Sequence, residues 1–259
     1  SPSNSLSSVY GSIEGISGQY GHLQVGRYFY VEGLAKNIHL KLGNGIIGFY
    51  GEVKTRGNTT FPPIPQLRSI SIDNNMEMAD LHCDVEVMDN IDLTGGYLHL
   101  KNDAVLRLSY WATCTGYSGN LNTIQLEGES VLEKTIQGEE TAFLPVGNNG
   151  ASMPVSITPN NMGATTQNTF RLVAAHGDLS SFAQIPLQSP LQRVSIVDGW
   201  QIEYLGGVSN LTYDLKLTWN GNSGVNHPYT NLHIAGLHEQ PNSFSWADLG
   251  GNLHLQTSS

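Results

Sequence analysis

The chain is short of charge, of cysteine and of long apolar runs, and each shortage closes off a class of function. Only 13% of its 259 residues are charged against 39% hydrophobic. Its polar surface must therefore be built from Asn, Ser, Thr, Gln and Gly, a habit of secreted β proteins more than of cytosolic enzymes. Twelve basic residues face 22 acidic ones, a formal charge of -10, which repels a phosphate backbone and leaves no basic stripe for counterion release. Nucleic acid is excluded as an expected partner. No apolar run approaches the roughly 18 residues a spanning helix needs, so no membrane insertion is expected. Cys83 and Cys114 are too few for a zinc knuckle. In an exported protein they suit a single disulfide, which their number alone does not demand. The opening Ser1-Pro2-Ser3-Asn4-Ser5 has neither an initiator Met nor a charged-then-apolar leader, as expected after signal-peptide removal or at an arbitrary start.

Helical periodicity is almost missing too. In its place, runs of four to seven residues rich in Val, Ile, Leu and Tyr recur between Gly, Asn and Asp clusters such as Gly43-Asn44-Gly45, Asp73-Asn74-Asn75 and Asn148-Asn149-Gly150. That pattern predicts an all-β fold. Between Arg68 and Tyr110 the strands are very short and the turns frequent, predicting a short β-solenoid-like or tightly wound region, although no clean repeat period emerges. From Thr141 onward the spacing lengthens, predicting an antiparallel β-sandwich of seven or eight strands. The expected organisation is an N-terminal arm over 1–18, the short-strand region over 19–138 and the sandwich over 139–259.

Several residue sets invite chemistry. Five histidines sit between apolar neighbours, at His39, His82, His99, His233 and His254. Strand alternation turns each outward if its neighbours are core, and a ladder of them on neighbouring coils would bind a transition metal. No H-x-H or H-E-x-x-H spacing supports that, so surface histidines are the expectation. Glu127 with Glu129, and Glu139 with Glu140, could supply a glycosidase carboxyl pair, the i, i+2 pair lying near the required separation on one strand, but they sit beside turns where acids are ordinarily solvated. No nucleophile elbow occurs, so no catalytic residue is assigned. Asp73, Asn75, Glu77 and Asp80, and again Asp89, Asn90 and Asp92, concentrate hard oxygen donors of the kind calcium uses. Turn formation accounts for the same residues without an ion, and no cofactor is expected.

Tyr110, Trp111 and Tyr117, or Trp219 with Tyr229, would make a flat aromatic platform for sugar rings. Trp200 and Trp219 equally suit the core of the sandwich. In the Ser-rich start, Leu6, Val9, Tyr10, Ile13 and Ile16 have no evident strand partner, so the segment would suit strand addition to a neighbouring subunit. That head-to-tail contact would build a filament.

Three blocks carry a resemblance. Thr141-Ala-Phe-Leu-Pro-Val-Gly147 followed by Met153-Pro-Val-Ser-Ile-Thr158, the stretch Asn90 to Leu106 (NIDLTGGYLHLKNDAVL), and Gly199-Trp200-Gln201-Ile202 with Tyr213 to Asn220 (YDLKLTWN) occur in that mixture of coil and strand blocks. Together they resemble β-rich modules of large secreted Bacteroidota surface proteins. The resemblance implies export by the type IX route and display on the cell surface or in a surface filament, and the expected task is structural or adhesive, through self-association or contact with cell-surface components. A carbohydrate-binding module, with glycans as partners, is the alternative expectation.

Overall fold

The computed structural model describes residues 6–14, 21–25, 28–42, 47–50, 66–72, 77–81, 84–119, 122–206, 211–219, 223, 232–240 and 243–251. They are all-β apart from one 3-10 turn at Ser180–Gln184. The strands, in chain order, are β1 (Leu6–Glu14), β2 (Gly21–Val25), β3 (Tyr28–Leu42), β4 (Ile47–Tyr50), β5 (Gln66–Ile72), β6 (Glu77–Leu81), β7 (Val85–Asp92), β8 (Gly96–Leu100), β9 (Val105–Leu108), β10 (Thr113–Thr115), β11 (Ile124–Leu126) and β12 (Val131–Gln137). There follow β13 (Ala142–Leu144), β14 (Val146–Asn148), β15 (Ala151–Ser152), β16 (Val155–Asn160), β17 (Gln167–His176), β18 (Asp198–Tyr204), β19 (Thr212–Leu217), β20 (Ala235–Gln240) and β21 (Ser243–Asp248).

Residues 66–147 wind into a β-solenoid of about three turns. One face stacks β5, β7, β9 and β12 in parallel, and the other stacks β6, β8, β11 and β14. Alternation decides which side chains fill the space between them. In β8 the glycine and two leucines at positions 96, 98 and 100 are buried while Tyr97 and His99 are half-buried on the outer side. Leu67, Val87 and Leu108 lie opposite one another on successive coils of the first face, as do Ala79, Leu98 and Ile124 on the second. Each fully buried Leu or Ile contributes roughly 1.5–3 kcal/mol.

Corners are made by residues that tolerate positive φ. Asn102 (φ 55) and Asp103 (φ 58) turn the chain between β8 and β9, and Gly128 (φ 63) does so one coil later. Asp103 Oδ1 accepts the backbone N–H of Glu129, tying these two corners together. Short polar side chains are suited to this because they reach backbone groups that no ladder serves.

The parallel pairing continues toward the N-terminus. The long β3 bridges both faces, pairing β4 at Phe29 and Tyr30 and β5 along Lys36 to Leu42. β1 runs in register with β3 from Leu6 opposite Tyr28 to Glu14 opposite Lys36. The expectation that this segment lacks a strand partner is corrected accordingly: Leu6, Val9, Tyr10 and Ile13 face Tyr28, Val31, Glu32 and Ala35 of the same chain. A parallel partner that begins only fourteen residues after the segment ends is invisible to hairpin signals. Ile16 lies outside the described residues.

At the C-terminal end the first face changes direction, β17 pairing antiparallel with β12 and β18 antiparallel with β17. Opposite them lies the antiparallel sheet β13-β16-β19, with Phe170 of β17 meeting Tyr213 of β19 edge-on at 5.3 Å. This is the expected sandwich in smaller form, and β20 and β21 add a separate hairpin. Trp200 donates its indole N–H to the Met153 carbonyl and packs on the core, while Trp219 is half-buried. The core is continuous from Leu67 to Ala174, so it runs across the expected boundary at 138/139.

Candidate functional site

Four polar or aromatic groupings stand out on this frame, and their geometry sorts them. On the second face, Asp80, His99, Lys101 and Glu127 meet. His99 Nε2 lies 2.9 Å from Glu127 Oε2 and Nδ1 lies 3.4 Å from Asp80 Oδ1. Lys101 Nζ stands 3.5 Å from Glu127 and 3.9 Å from Asp80. Two carboxylates are thus matched by a lysine and an imidazole. The residues opposite His99 on neighbouring coils are Asp80 and Gln125, so no ladder of histidines forms there.

On the first face an alternating charge ladder crosses five strands in register: Glu86, Arg107, Glu133, Arg171 and Glu203. Glu133 is its centre, with only 8% of its side chain exposed. It accepts from Arg107 Nε at 2.9 Å and from Arg171 at 2.6 and 3.1 Å. Opposite charges directly across strands stabilise the sheet. This is a clamp joining the parallel coils to the antiparallel strands, with every carboxylate oxygen of Glu133 engaged. A third grouping, His176 Nδ1 with Asp198 Oδ1 at 2.6 Å, locks the ends of β17 and β18. The nearby Ser195 hydroxyl accepts the backbone N–H groups of Val197 and Asp198, a turn contact.

The fourth grouping is of a different kind. Between β9 and β10 the register against β7 slips: Leu108 faces Val87, but Thr113 faces Asn90. Four residues, Ser109 to Ala112, span what two span on β7. The two extra residues bulge outward as a tight turn, closed by the Ala112 N–H on the Ser109 carbonyl at 3.1 Å. Its tip carries Trp111, 65% exposed, with its ring 4.4 Å from that of Tyr110 at a 38° tilt.

What holds the turn is a lysine inside the core. Lys134 occupies the inward position that continues Leu67, Val87 and Leu108 and precedes Phe170. It is 6% exposed. Its ammonium donates to the carbonyls of Ser109 at 2.7 Å, Ala112 at 2.6 Å and Tyr110 at 3.3 Å. Three hydrogens on one nitrogen serve three carbonyls that the bulge turned inward. Burial draws the Lys134 ammonium down to about 8, opposed by the nearby Cys114 and Glu140. Cys114 lies beside it with a free thiol that burial pushes up to about 12. Cys83, the other cysteine of the disulfide considered from the sequence, lies outside the described residues.

Beside the turn opens a cavity of about 220 Å³ whose lining includes Tyr110, Thr113, Cys114, Lys134, Glu140, Thr141 and Phe143. Phe143 is 41% exposed and meets Tyr117 edge-on at 5.3 Å. Two aromatic rings, Tyr110 and Phe143, therefore line one groove, and each is in ring contact with a further aromatic outside the lining, Trp111 and Tyr117 respectively.

Of the residues singled out in the sequence, Tyr110 and Glu140 line this cavity, Trp111 and Tyr117 touch its lining through Tyr110 and Phe143, and Tyr229 lies outside the described residues. The oxygen donors divide differently. Asp73 and Asn75 lie outside the described residues, Glu77 is placed in β6, and Asp80 meets His99 and Lys101. Asp89 pairs with Arg68 at 3.0 Å, Asn90 bonds Thr113 and Thr115, and Asp92 caps Thr94. No group of three or more His, Cys, Asp and Glu able to hold a metal occurs among the described residues. His233 pairs with Asp248 at 3.0 Å, His39 faces Ser69 in the β3–β5 register, and His82 and His254 lie outside the described residues. Glu129 and Glu139 are exposed. Sequence reasoning missed Lys134 and Glu133. Lys134 was detectable, since in Leu132-Glu133-Lys134-Thr135-Ile136 it sits on the apolar alternation. No family model, curated protein or solved structure matches the chain.

Proposed function

We propose that the chain is a non-catalytic module of an exported surface protein, in which a β-solenoid acts as a rigid frame and the Ser109–Ala112 bulge acts as its adhesive contact. The observation that carries this reading is the exposed Trp111 on a turn anchored by a buried ammonium. A buried lysine is costly unless fully hydrogen-bonded, and a two-residue insertion disturbs the ladder it interrupts. Neither adds to a coil that would stack more simply without them. An exposed aromatic held rigid is, however, what a contact surface uses, because little side-chain freedom is lost on binding. Export by the type IX route and display outside the cell follow the resemblance of the three sequence blocks to Bacteroidota surface modules. Self-association belongs to the same reading, through the edge of β1, which among the described residues is paired with β3 alone. An open edge of this kind accepts a further strand.

The test is adhesion of beads coated with the intact chain to a Bacteroidota biofilm matrix, beside light scattering of the chain with and without residues 1–18. Retention well above albumin-coated beads supports the reading. Retention equal to albumin overturns the adhesive role. A monodisperse monomer in both length variants overturns the self-assembly part.

A further inference from the structure

We propose that the groove between Tyr110 and Phe143 is a carbohydrate subsite that takes one neutral pyranose ring of a longer glycan, with Trp111 carrying the adjoining sugar. The inference deepens the adhesive reading and rests on it for its setting, but the ligand chemistry is argued from the groove.

Size comes first. A cavity of about 220 Å³ is below the ~300 Å³ at which pockets for drug-sized ligands begin. It suits a single six-membered ring better than a nucleotide or a peptide side chain with its flanking backbone. Surface character is second. A pyranose presents C–H groups on its faces and hydroxyls on its rim. The groove matches both, with aromatic carbon from Tyr110 and Phe143 and polar lining from Glu140, Thr113 and Thr141; the Thr113 hydroxyl donates to Asn90 and that of Thr141 bonds Thr158, and a hydroxyl so engaged still has acceptor capacity for a sugar O–H. Trp111 lies outside the lining but touches Tyr110 at a 38° tilt and is 65% exposed, so a glycan leaving the groove past Tyr110 meets a second ring.

Charge decides which sugars enter. Lys134 is the cation in the lining, and its three hydrogens are already given to Ser109, Tyr110 and Ala112. It has none left for a ligand carboxylate. Glu140 lines the groove with a negative charge, and the chain carries a formal -10. Uronic and sialic acids are repelled, and neutral sugars are not. Rigidity is the last point: a turn held at three carbonyls loses little freedom when a ring docks on it.

The experiment is calorimetric titration of the intact chain with maltohexaose, cellohexaose, laminarihexaose and mannohexaose, and with hexagalacturonate as the acidic probe. At least one neutral hexasaccharide is expected to bind, and Trp111→Ala and Phe143→Ala are each expected to weaken it by about tenfold or more at an unchanged melting temperature. Hexagalacturonate is expected not to bind. Absence of binding by all four neutral probes, binding unchanged in both variants, or preference for the acidic probe overturns the subsite. The bead assay separates the two readings. Beads that adhere equally with wild type and Trp111→Ala, and are not released by free hexasaccharide, point to a protein partner: adhesion stands and the subsite falls. Trp111-dependent sugar binding with no bead adhesion keeps the subsite and removes the adhesive role.

Discussion

Replacing Lys134 by Met should loosen one turn far more than it destabilises the molecule. Methionine fills the inward position between Leu108 and Phe170 with apolar volume but donates nothing to the three carbonyls. Two of the lost hydrogen bonds, at 2.7 and 2.6 Å, are short and charge-assisted, worth about 1.5–3 kcal/mol each. Against this, the variant no longer buries an ammonium. The fall of its pKa from 10.5 to about 8 corresponds to roughly 3.5 kcal/mol at ~1.4 kcal/mol per unit. The two nearly offset, leaving a net loss of about 1 kcal/mol in urea denaturation at pH 7. The local effect does not offset. The Ala112 amide, bonded to the Ser109 carbonyl inside the turn, should exchange with solvent at least about tenfold faster by NMR, as expected when an anchored segment gains a cheap local opening. Unchanged Ala112 exchange alongside a normal fold would refute the claim that the buried lysine holds the bulge.

The same residue gives a pH signature. Between pH 8 and 10.5 the unfolded chain still holds the lysine proton that the folded chain has released, so stability rises with pH across that window. Cys114 acts in the opposite sense: its folded thiol keeps its proton to about 12, while the unfolded thiol loses it near 9.0, costing stability above pH 9. Comparing wild type with Lys134→Met in identical buffers isolates the lysine, and the wild-type advantage should widen from pH 7 to 10; a constant gap contradicts the depressed pKa. Glu133→Leu removes the buried acceptor that Arg107 and Arg171 share, leaving them Asp84 and Glu203, each at 3.6 Å. Because both guanidinium groups are a third or so exposed, the loss should fall at the low end for a broken buried ion pair, about 2–3 kcal/mol by urea denaturation; a loss below ~0.5 kcal/mol means the clamp is ornamental. Gly147→Ala places a Cβ against the Ala151 carbonyl and the Gln125 amide. Both are held in the β11–β15 contact, so about 2 kcal/mol or more of overpacking cost is expected as a lower melting temperature.

The glycine of that last prediction shows how much a short sequence block can mean. Thr141 to Gly147 reads as a structural motif, and the structure supplies the reason for its end: β14 crosses Gln125 too closely for any side chain. The all-β class and the wound region were legible because burial alternates with period two along strands such as β8 and β17. The solenoid's period was not, because the coils are unequal. Gln66 faces Glu86 twenty residues on, Val85 faces Leu106 twenty-one on, and Arg107 faces Glu133 twenty-six on. Insertions at corners and in the Tyr110–Trp111 bulge erase any sequence repeat while leaving the stacking intact. For the same reason His99 could be turned outward from its neighbours' burial, yet its company of Asp80 and Glu127 depended on a register that no local pattern encodes.

The candidate site was half legible, and the missing half is the informative one. Exposed aromatics at Tyr110, Trp111 and Tyr117 were visible as residue types, but nothing near them distinguishes a platform from a core. The distinguishing residue lies twenty-three positions after Trp111, on the next coil. A lysine on the apolar alternation of β12 conflicts with burial. Inside a protein that conflict is tolerated when every hydrogen of the ammonium finds an acceptor, so the lysine implies a place nearby where carbonyls have left the ladder. A bulge is such a place. The sequence thus contained two irregularities, an unpaired turn with an exposed tryptophan and a charged residue in a core register. The fold makes each the reason for the other. A coil of ordinary length would need neither, so what the pair preserves is the outward position of Trp111.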